Sequence, residues 1–257
     1  MIDSHCHLNH NSFYANPQKY IEEAMAKGVE AFLVIGYDLE SSRRAYALAQ
    51  RFENVYAAVG IHPTDIKKRG PADLGQIEAM LSDKKVIGYG EIGLDYYWDK
   101  SEEDQKEQKE YFIEQIKIAN EHQKPIIVHT REAAYDTFKI LSDNPPQYGG
   151  IMHCYSGSAE MVGDYVDLGL YISLGGPVTF LNAKTPKEVA KITPLNRLLV
   201  ETDSPYLSPH PLRGKTNSPA NLPLILEEIA RLRGVEAKII DEATTANFRR
   251  LFRLEKQ

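Results

Sequence analysis

Eight short apolar runs alternate with longer amphipathic segments along the chain, and this alternation is the feature that most constrains the fold. Runs such as Ile126, Ile127 and Val128 are almost continuously hydrophobic, which is typical of parallel strands buried on both faces. The predicted strands cover residues 2–5, 31–36, 55–60, 86–91, 125–129, 150–153, 170–174 and 198–202.

The segments between these strands have helical spacing. The predicted helices cover residues 17–27, 39–52, 72–81, 102–120, 133–141, 159–168, 186–192, 219–232 and 237–252. In the fourth of them, Phe112, Ile116 and Ala119 fall on one face, and Ser101 with Asp104 forms a start similar to a capping box.

Eight strand–helix alternations in 257 residues predict an α/β chain that folds as a TIM-type (β/α)₈ barrel. The alternative is a doubly wound open sheet, but neither of the glycine-rich phosphate-binding motifs follows a strand. Without repeats or a linker, we expect a single domain over residues 1–257. One long irregular segment, residues 204–217, follows the last strand and is expected to be functional.

Composition limits the classes of function. The formal net charge of −6 argues against a protein that binds nucleic acid through a broad basic surface, although local positive charge at a site is compatible with it. The longest apolar run, residues 31–35, is too short to span a membrane. Two cysteines and no recognisable secretory leader lead us to expect a cytoplasmic protein.

Residues that bind metals follow several of the predicted strands. His5 and His7 are two positions apart, so an extended strand points both imidazoles to one side and Cys6 to the other. This pair alone is a weak signal. Further candidate ligands close strands four, five, six and eight, at the end of a barrel where active sites lie: Glu91, His129, His153 and Asp203. Such a set exceeds one tetrahedral ion and suits two divalent cations bridged by a carboxylate, with Mg, Mn, Zn, Ni or Fe as compatible metals.

Six motifs together resemble the signature set of the TatD-type metal-dependent deoxyribonucleases, a family within the amidohydrolase-like barrels. They are Ile2-Asp-Ser-His-Cys-His7-Leu, Gly60-Ile-His62-Pro63, Gly90-Glu91-Ile-Gly-Leu-Asp95-Tyr, His129-Thr-Arg131, His153-Cys-Tyr-Ser-Gly157 and Glu201-Thr-Asp203-Ser-Pro-Tyr206. The likeness covers the chain from Met1 to about Phe252, with the motifs in the family's order.

The resemblance implies a binuclear site in which one ion is held by His5, His7, Glu91 and Asp203. The second ion is held by Glu91, His129 and His153, so that Glu91 bridges the two. It also implies an enzyme that cleaves DNA phosphodiester bonds with water activated at the metals, as a 3′→5′ exonuclease in DNA repair or turnover. DNA is then the substrate, no organic cofactor or membrane is involved, and we expect a monomer.

Several roles follow from chemistry at these positions. Asp203 is expected to orient the attacking water and accept its proton, because a carboxylate is the usual base in such sites. His62 is expected to contact the phosphate or the leaving oxygen, with a turn residue as the alternative. Glu201 either orients a ligand or is a buried, ion-paired acid. Arg131 is placed to bind a phosphate, or else forms a salt bridge with acidic residues at the mouth of the barrel, the end at which the carboxyl ends of the strands meet.

Substrate contacts are also expected outside the metal ligands. Arg213 and Lys215, in an Arg-Gly-Lys segment that recurs in the family, can line a groove for single-stranded substrate, or are ordinary surface cations. Tyr155 is expected to contact the sugar or base. Tyr97 can stack on a base or pack in the loop, and Trp98 is interpreted as a loop anchor.

Two other functions use the same features. A hydrolase of an amide, lactone or phosphotriester would share the scaffold and the water, but a neutral substrate gains little from the cations Arg131, Arg213 and Lys215. A metal-dependent nucleic-acid binder without turnover would need no base at Asp203.

Overall fold

The computed structural model describes residues 1–254, and within them eight parallel strands form one sheet in chain order. The strands are β1 Ile2–Cys6, β2 Ala31–Ile35, β3 Val55–Val59, β4 Val86–Asp95, β5 Ile126–Arg131, β6 Gly150–Met152, β7 Leu170–Leu174 and β8 Leu198–Val200. Each strand pairs in parallel with the next one along the chain.

The strands are connected by helices on the outside. These are α1 Asn11–Tyr14, α2 Pro17–Met25, α3 Leu39–Arg51, α4 Asp73–Met80, α5 Glu102–Glu121, α6 Ala134–Asp143, α7 Met161–Asp167, α8 Thr185–Ile192, α9 Leu222–Arg233 and α10 Ala237–Leu251. Short 3₁₀ turns occupy Pro63–Lys68, Gly176–Thr179, Leu195–Arg197 and Pro219–Asn221.

Contacts between the first and last strands bring the sheet round into a barrel. The Asp203 N–H donates to the His5 carbonyl over 2.9 Å, and the His7 N–H donates to the Ser204 carbonyl over 2.8 Å. The Asp3 carboxylate accepts from the Thr202 N–H at 2.9 Å and from its hydroxyl at 2.6 Å. The predicted TIM-type (β/α)₈ fold is therefore confirmed.

The core has two parts. Apolar side chains between the barrel and the helices include Cys6, Phe112 and Ile116. A second cluster fills the interior of the barrel and includes Ile127, Ile151 and Leu199, and Phe248 and Phe252 of the α10 region close it from below.

The strand boundaries differ from the predicted ones where the site is built. β4 and β5 run on to Asp95 and Arg131, because Gly93 pairs with His129 and Asp95 with Arg131. β6 and β8 are shorter than predicted, so His153 and Asp203 lie just beyond them. α9 begins after the predicted start because residues 219–221 form a 3₁₀ turn.

The prediction for α5 is confirmed. Phe112, Ile116 and Ala119 are fully buried on one face, and the Ser101 hydroxyl accepts from the Asp104 N–H at 3.1 Å. In residues 1–254 no helix has the length and apolar character needed to cross a membrane.

Candidate metal centre

An irregularity in β1 sets the direction of the two N-terminal histidines. Asp3 pairs with Phe32 and Cys6 with Val34, so β1 carries one extra residue between these pairs. Cys6 faces the layer between barrel and helices, as expected, and its thiol contacts the Leu33 carbonyl. The imidazoles of His5 and His7 both enter the mouth, with their Nε2 atoms 3.3 Å apart.

A second irregularity, in β4, turns Glu91 inward. Tyr89 pairs with Ile126 and Ile92 with Val128, so β4 carries one extra residue between these pairs. Tyr89 and Ile92 both pack in the layer outside the barrel. A bulge re-aims the side chains beside it, and here it directs the Glu91 carboxylate into the mouth.

Glycine is required beside this bulge. Gly93 has a φ of +141°, and a Cβ there would lie 2.0 Å from the His129 carbonyl oxygen. Only glycine lets β4 approach β5 this closely, next to a side chain of the site.

The two oxygens of Glu91 face different groups of imidazoles. Oε1 lies 3.0 Å from His129 Nδ1 and 3.0 Å from His153 Nε2. Oε2 lies 3.5 Å from His5 Nε2 and 3.9 Å from His7 Nε2. One carboxylate thus stands between two pairs of nitrogen donors.

Asp203 completes the cluster from the end of β8. Its φ of +53° is in the left-handed region, which Asp tolerates better than most residues and which ends the extended run. Its Oδ1 lies 3.6 Å from His5 Nε2 and 3.4 Å from His7 Nε2.

Three of the four imidazoles have a hydrogen-bond acceptor on the nitrogen that faces away from the cluster. His7 Nδ1 donates to the Ile35 carbonyl at 3.1 Å. His129 Nε2 donates to Asp95 at 3.0 Å, and His153 Nδ1 donates to Glu201 at 3.1 Å. Such partners fix the tautomer and leave the other nitrogen as a free ligand.

His62 is held in the opposite sense. Its Nδ1 accepts from the Thr64 N–H at 3.2 Å, so the ring proton is on Nε2, which points at Glu91 Oε1 over 3.5 Å. Burial, with the charge of His129, lowers the pKa of His62 to about 3. Although His62, Asp95 and His129 lie close together, His62 therefore presents a proton to the mouth and not a lone pair.

The acids of the cluster are ionised at neutral pH. Burial alone raises the pKa of Glu91, but His153, His62 and His129 reverse this and hold it well below its ordinary value. Burial also raises the pKa of Asp203, but the hydrogen bond from His7 and the neighbouring imidazoles outweigh burial. The pKa of Asp203 is therefore lowered. In the same way Glu91 and Glu201 outweigh burial and raise the pKa of His153.

The donor set fits divalent cations. The ligand atoms of His5, His7 and Asp203 all lie within 4.8 Å of one another, and so do those of His5, Glu91 and His153. Imidazole nitrogens with carboxylate oxygens suit Zn, Mn, Ni or Fe, and carboxylates also suit Mg. Buried carboxylates among oriented imidazoles are therefore what a metal centre needs.

Comparison with known proteins gives the family. The sequence profile of the TatD-related DNases matches residues 2–253. The chain belongs to the TatD-related DNase family. The uncharacterised metal-dependent hydrolase YabD of Bacillus subtilis is 44% identical, with 99% of each chain covered. The 3′-5′ ssDNA/RNA exonuclease TatD of Salmonella typhimurium is 35% identical, with 98% of each covered.

A solved structure agrees. YjjV, a TatD homologue from Escherichia coli K12, superposes with a TM-score of 0.94 at 29% identity, covering 99% of this chain and 98% of its own. The protein is thus a TatD-family metal-dependent hydrolase of the kind that acts on ester bonds.

The structure distributes the other expected site residues of this TatD-family protein unevenly. A cavity of about 390 Å³ opens above the cluster, and both His62 and Arg131 line it. Arg213 lies over the Phe180 ring at 4.1 Å, and neither Arg213 nor Lys215 is among the residues that line this cavity.

Tyr155 does not reach the cavity, which corrects the expected contact with sugar or base. Its side chain is only 3% exposed and packs against Tyr165, with ring centroids 5.8 Å apart. Its hydroxyl donates to the Ser158 carbonyl at 2.8 Å. The ring is part of the core, and we assign it no substrate contact.

Asp95 is a site residue to which the sequence analysis gave no role. It stands four positions beyond Glu91, so an extended β4 brings both carboxylates to the same side. That spacing is the signal which could have identified it. In the TatD-family site it holds His129 in place.

Proposed function

We propose that this protein is a nuclease that removes nucleotides from the 3′ ends of DNA with two divalent ions. The observation that carries the proposal is the position of Glu91, whose two carboxylate oxygens face two separate groups of ligand atoms. The 3′-5′ ssDNA/RNA exonuclease of Salmonella typhimurium, 35% identical over nearly the whole chain, supports the substrate class.

The residues divide between two sites. His5, His7 and Asp203 with Oε2 of Glu91 would hold one ion, and His129 and His153 with Oε1 of Glu91 would hold the other. When bound, two divalent ions lower the pKa of water and neutralise the charge of the phosphate.

Asp203 is the base in this proposal. Its carboxylate is ionised, 8% exposed and open to the cavity, so it can orient a water and accept its proton. His62 is neutral with its proton on Nε2, so it donates a hydrogen bond to a phosphate oxygen and does not act as an acid. Arg131 adds a cation at the rim.

Local charge explains how a chain with a net charge of −6 attracts an anionic polymer. Two divalent ions exceed the charge of the two carboxylates, so the loaded centre is positive. The field of the loaded mouth then attracts the phosphates, while the rest of the surface does not.

The test uses metal-stripped protein and DNA labelled at either the 3′ or the 5′ end, in single- and double-stranded form, with each divalent ion restored in turn. A 3′→5′ exonuclease releases the 3′ label first as a mononucleotide and shortens the 5′-labelled strand progressively.

Controls exclude a contaminating nuclease. Asp203→Asn, purified identically, should be inactive, whereas Asp143→Asn on the exposed face of α6 should match the unaltered protein. Internal cuts without progressive shortening, or hydrolysis of neutral esters alone, would contradict the proposal.

A further inference from the structure

The loop after β4 presents the only tryptophan of the chain at the mouth. Trp98 is 66% exposed and lines the same cavity as His129, Arg131 and Asp203. The interpretation of Trp98 as a loop anchor is therefore wrong, because an anchor would be buried. The indole is therefore placed at the rim of the proposed nuclease site, where an exposed aromatic ring can stack on a base.

Asp95 connects this ring to the metal centre. Its Oδ1 accepts from the backbone N–H of Tyr97 at 3.0 Å and of Trp98 at 3.2 Å. Its Oδ2 accepts from His129 at 3.0 Å. One buried carboxylate therefore fixes the position of the loop relative to the candidate ligand His129.

Gln108 of α5 fixes the loop from behind. Its side chain accepts from the Asp95 N–H at 2.8 Å and donates to the Asp95 carbonyl at 3.1 Å. It also donates to the Asp99 carboxylate at 2.9 Å, so Asp99 is held by a hydrogen bond at the other end of the loop. A loop held at both ends loses little entropy when a ligand binds.

The neighbouring aromatic ring is already occupied. The Arg131 guanidinium lies 3.7 Å from the centroid of the Tyr97 ring and 5.7 Å from that of Trp98. Tyr97 meets Trp98 edge to face, with centroids 4.7 Å apart. The indole thus offers an open face beside a cation, which is the combination that binds an unstacked base next to its phosphate.

We propose that Trp98 stacks on an unpaired nucleobase of the strand whose phosphate lies at the metal centre, and that this stacking selects single-stranded ends. The inference rests on the proposed nuclease function and adds the base as a recognised group. A base inside a duplex has both faces covered by its neighbours, so only an unpaired base can use the indole.

Intrinsic fluorescence tests this directly, because all tryptophan emission comes from Trp98. The probe is a short single-stranded DNA with phosphorothioate linkages, added to the metal-loaded protein. We expect the emission to be quenched on binding, and we expect an abasic strand of equal length to leave it unchanged. Fluorescence anisotropy of a dye-labelled strand measures the affinity independently.

Variants give the size of the effect. Trp98→Ala should weaken binding of the base-containing strand about tenfold, within the range for one base–aromatic stack, and raise KM similarly with little change in kcat. It should not weaken binding of the abasic strand. Trp98→Phe should restore most of the loss. Tyr135→Ala, an exposed aromatic on α6 outside the cavity lining, is the control and should bind as the unaltered protein does.

The outcomes separate the two proposals. Binding with unchanged emission, equal affinity of Trp98→Ala, or no binding of the strand overturns the stacking. Cleavage without quenching leaves the nuclease and removes the stacking. Quenching without cleavage by any restored metal keeps the stacking and removes the nuclease.

Discussion

The two ends of the barrel are built by the same strands and differ completely in chemistry. In the interior, β5, β6 and β8 contribute the apolar side chains Ile127, Ile151 and Leu199. Two residues further along each segment, the inward positions carry His129, His153 and Glu201. Because successive inward positions are two residues apart, one step along a strand separates the apolar core from the metal centre.

This difference separates stability from function. Burial of apolar side chains in the barrel interior stabilises the fold. Charged side chains crowded at the carboxyl ends of the strands cost free energy unless they are paired or bind ions. Substitutions at the mouth should therefore lower activity more than stability, and substitutions in the interior should lower stability more than activity.

The largest effect is expected from Glu91→Ala. Removal of the carboxylate that faces both ligand groups should lower activity on the order of 10⁴-fold, as for residues that act together as a unit. Bound metal per folded molecule, measured by elemental analysis, should fall with it. A variant that kept both its metal and its activity would refute the central place of Glu91.

The matched change in the interior is Ile151→Ala, two residues before His153. Ile151 is fully buried, so this truncation should cost about 2–5 kcal/mol of unfolding free energy. Chemical denaturation measures the loss, and metal content per folded molecule should stay unchanged. Ile239→Ala, at an exposed position of α10, is the control and should change stability by less than about 0.5 kcal/mol. Loss of metal in Ile151→Ala would show that the two ends are not independent.

A smaller effect is expected one step outside the ligands, at Glu201→Gln. The neutral amide should orient His153 less strongly and lower metal affinity about 10- to 100-fold. Titration with a chelating indicator measures this, and Glu188→Gln on the exposed side of α8 is the control. Equal affinities would identify Glu201 as a structural acid only.

The pH dependence of metal binding sharpens the comparison further. Burial lowers the pKa of His129 and of His153, but nearby carboxylates outweigh it and raise both pKa values. Protons therefore compete with metal for these imidazoles at pH values above the ordinary imidazole pKa. Metal affinity should therefore rise with pH through neutrality, about tenfold per pH unit for each proton displaced. Calorimetry in buffers of different ionisation enthalpy counts the released protons. Affinity that does not change between pH 6 and 8 would contradict this.

Sequence reasoning located four of the metal-ligand candidates because they follow apolar runs, and parallel strands bring their carboxyl ends together: Glu91, His129, His153 and Asp203. It failed at Tyr155 for a physical reason. Cys154 adopts a φ of +40°, which redirects the chain and sends Tyr155 into the core. Cysteine does not favour this conformation, so nothing in the sequence indicates the turn.

The rim was less predictable than the centre for a related reason. Trp98 is exposed because the Asp95 carboxylate holds the backbone of the loop, a contact made by a residue whose role had not been assigned. Arg213 lies over Phe180 and is not among the residues that line the cavity, and the sequence does not indicate this contact. Strand periodicity fixes which way a side chain points, whereas loop positions depend on individual hydrogen bonds.

The smallest effect is expected from the double variant Arg213→Gln/Lys215→Gln. Both residues lie outside the lining of the cavity, and an exposed charge interaction is worth about 0.2–1 kcal/mol, so KM for DNA should rise less than about fivefold for each charge removed. The rise should shrink as salt is added, because exposed charges are screened. Arg131→Gln, at the rim itself, should raise KM more. If the double variant had the larger effect, the substrate would follow the 204–217 loop and not the face of Trp98, and the mouth would extend further than the cavity shows.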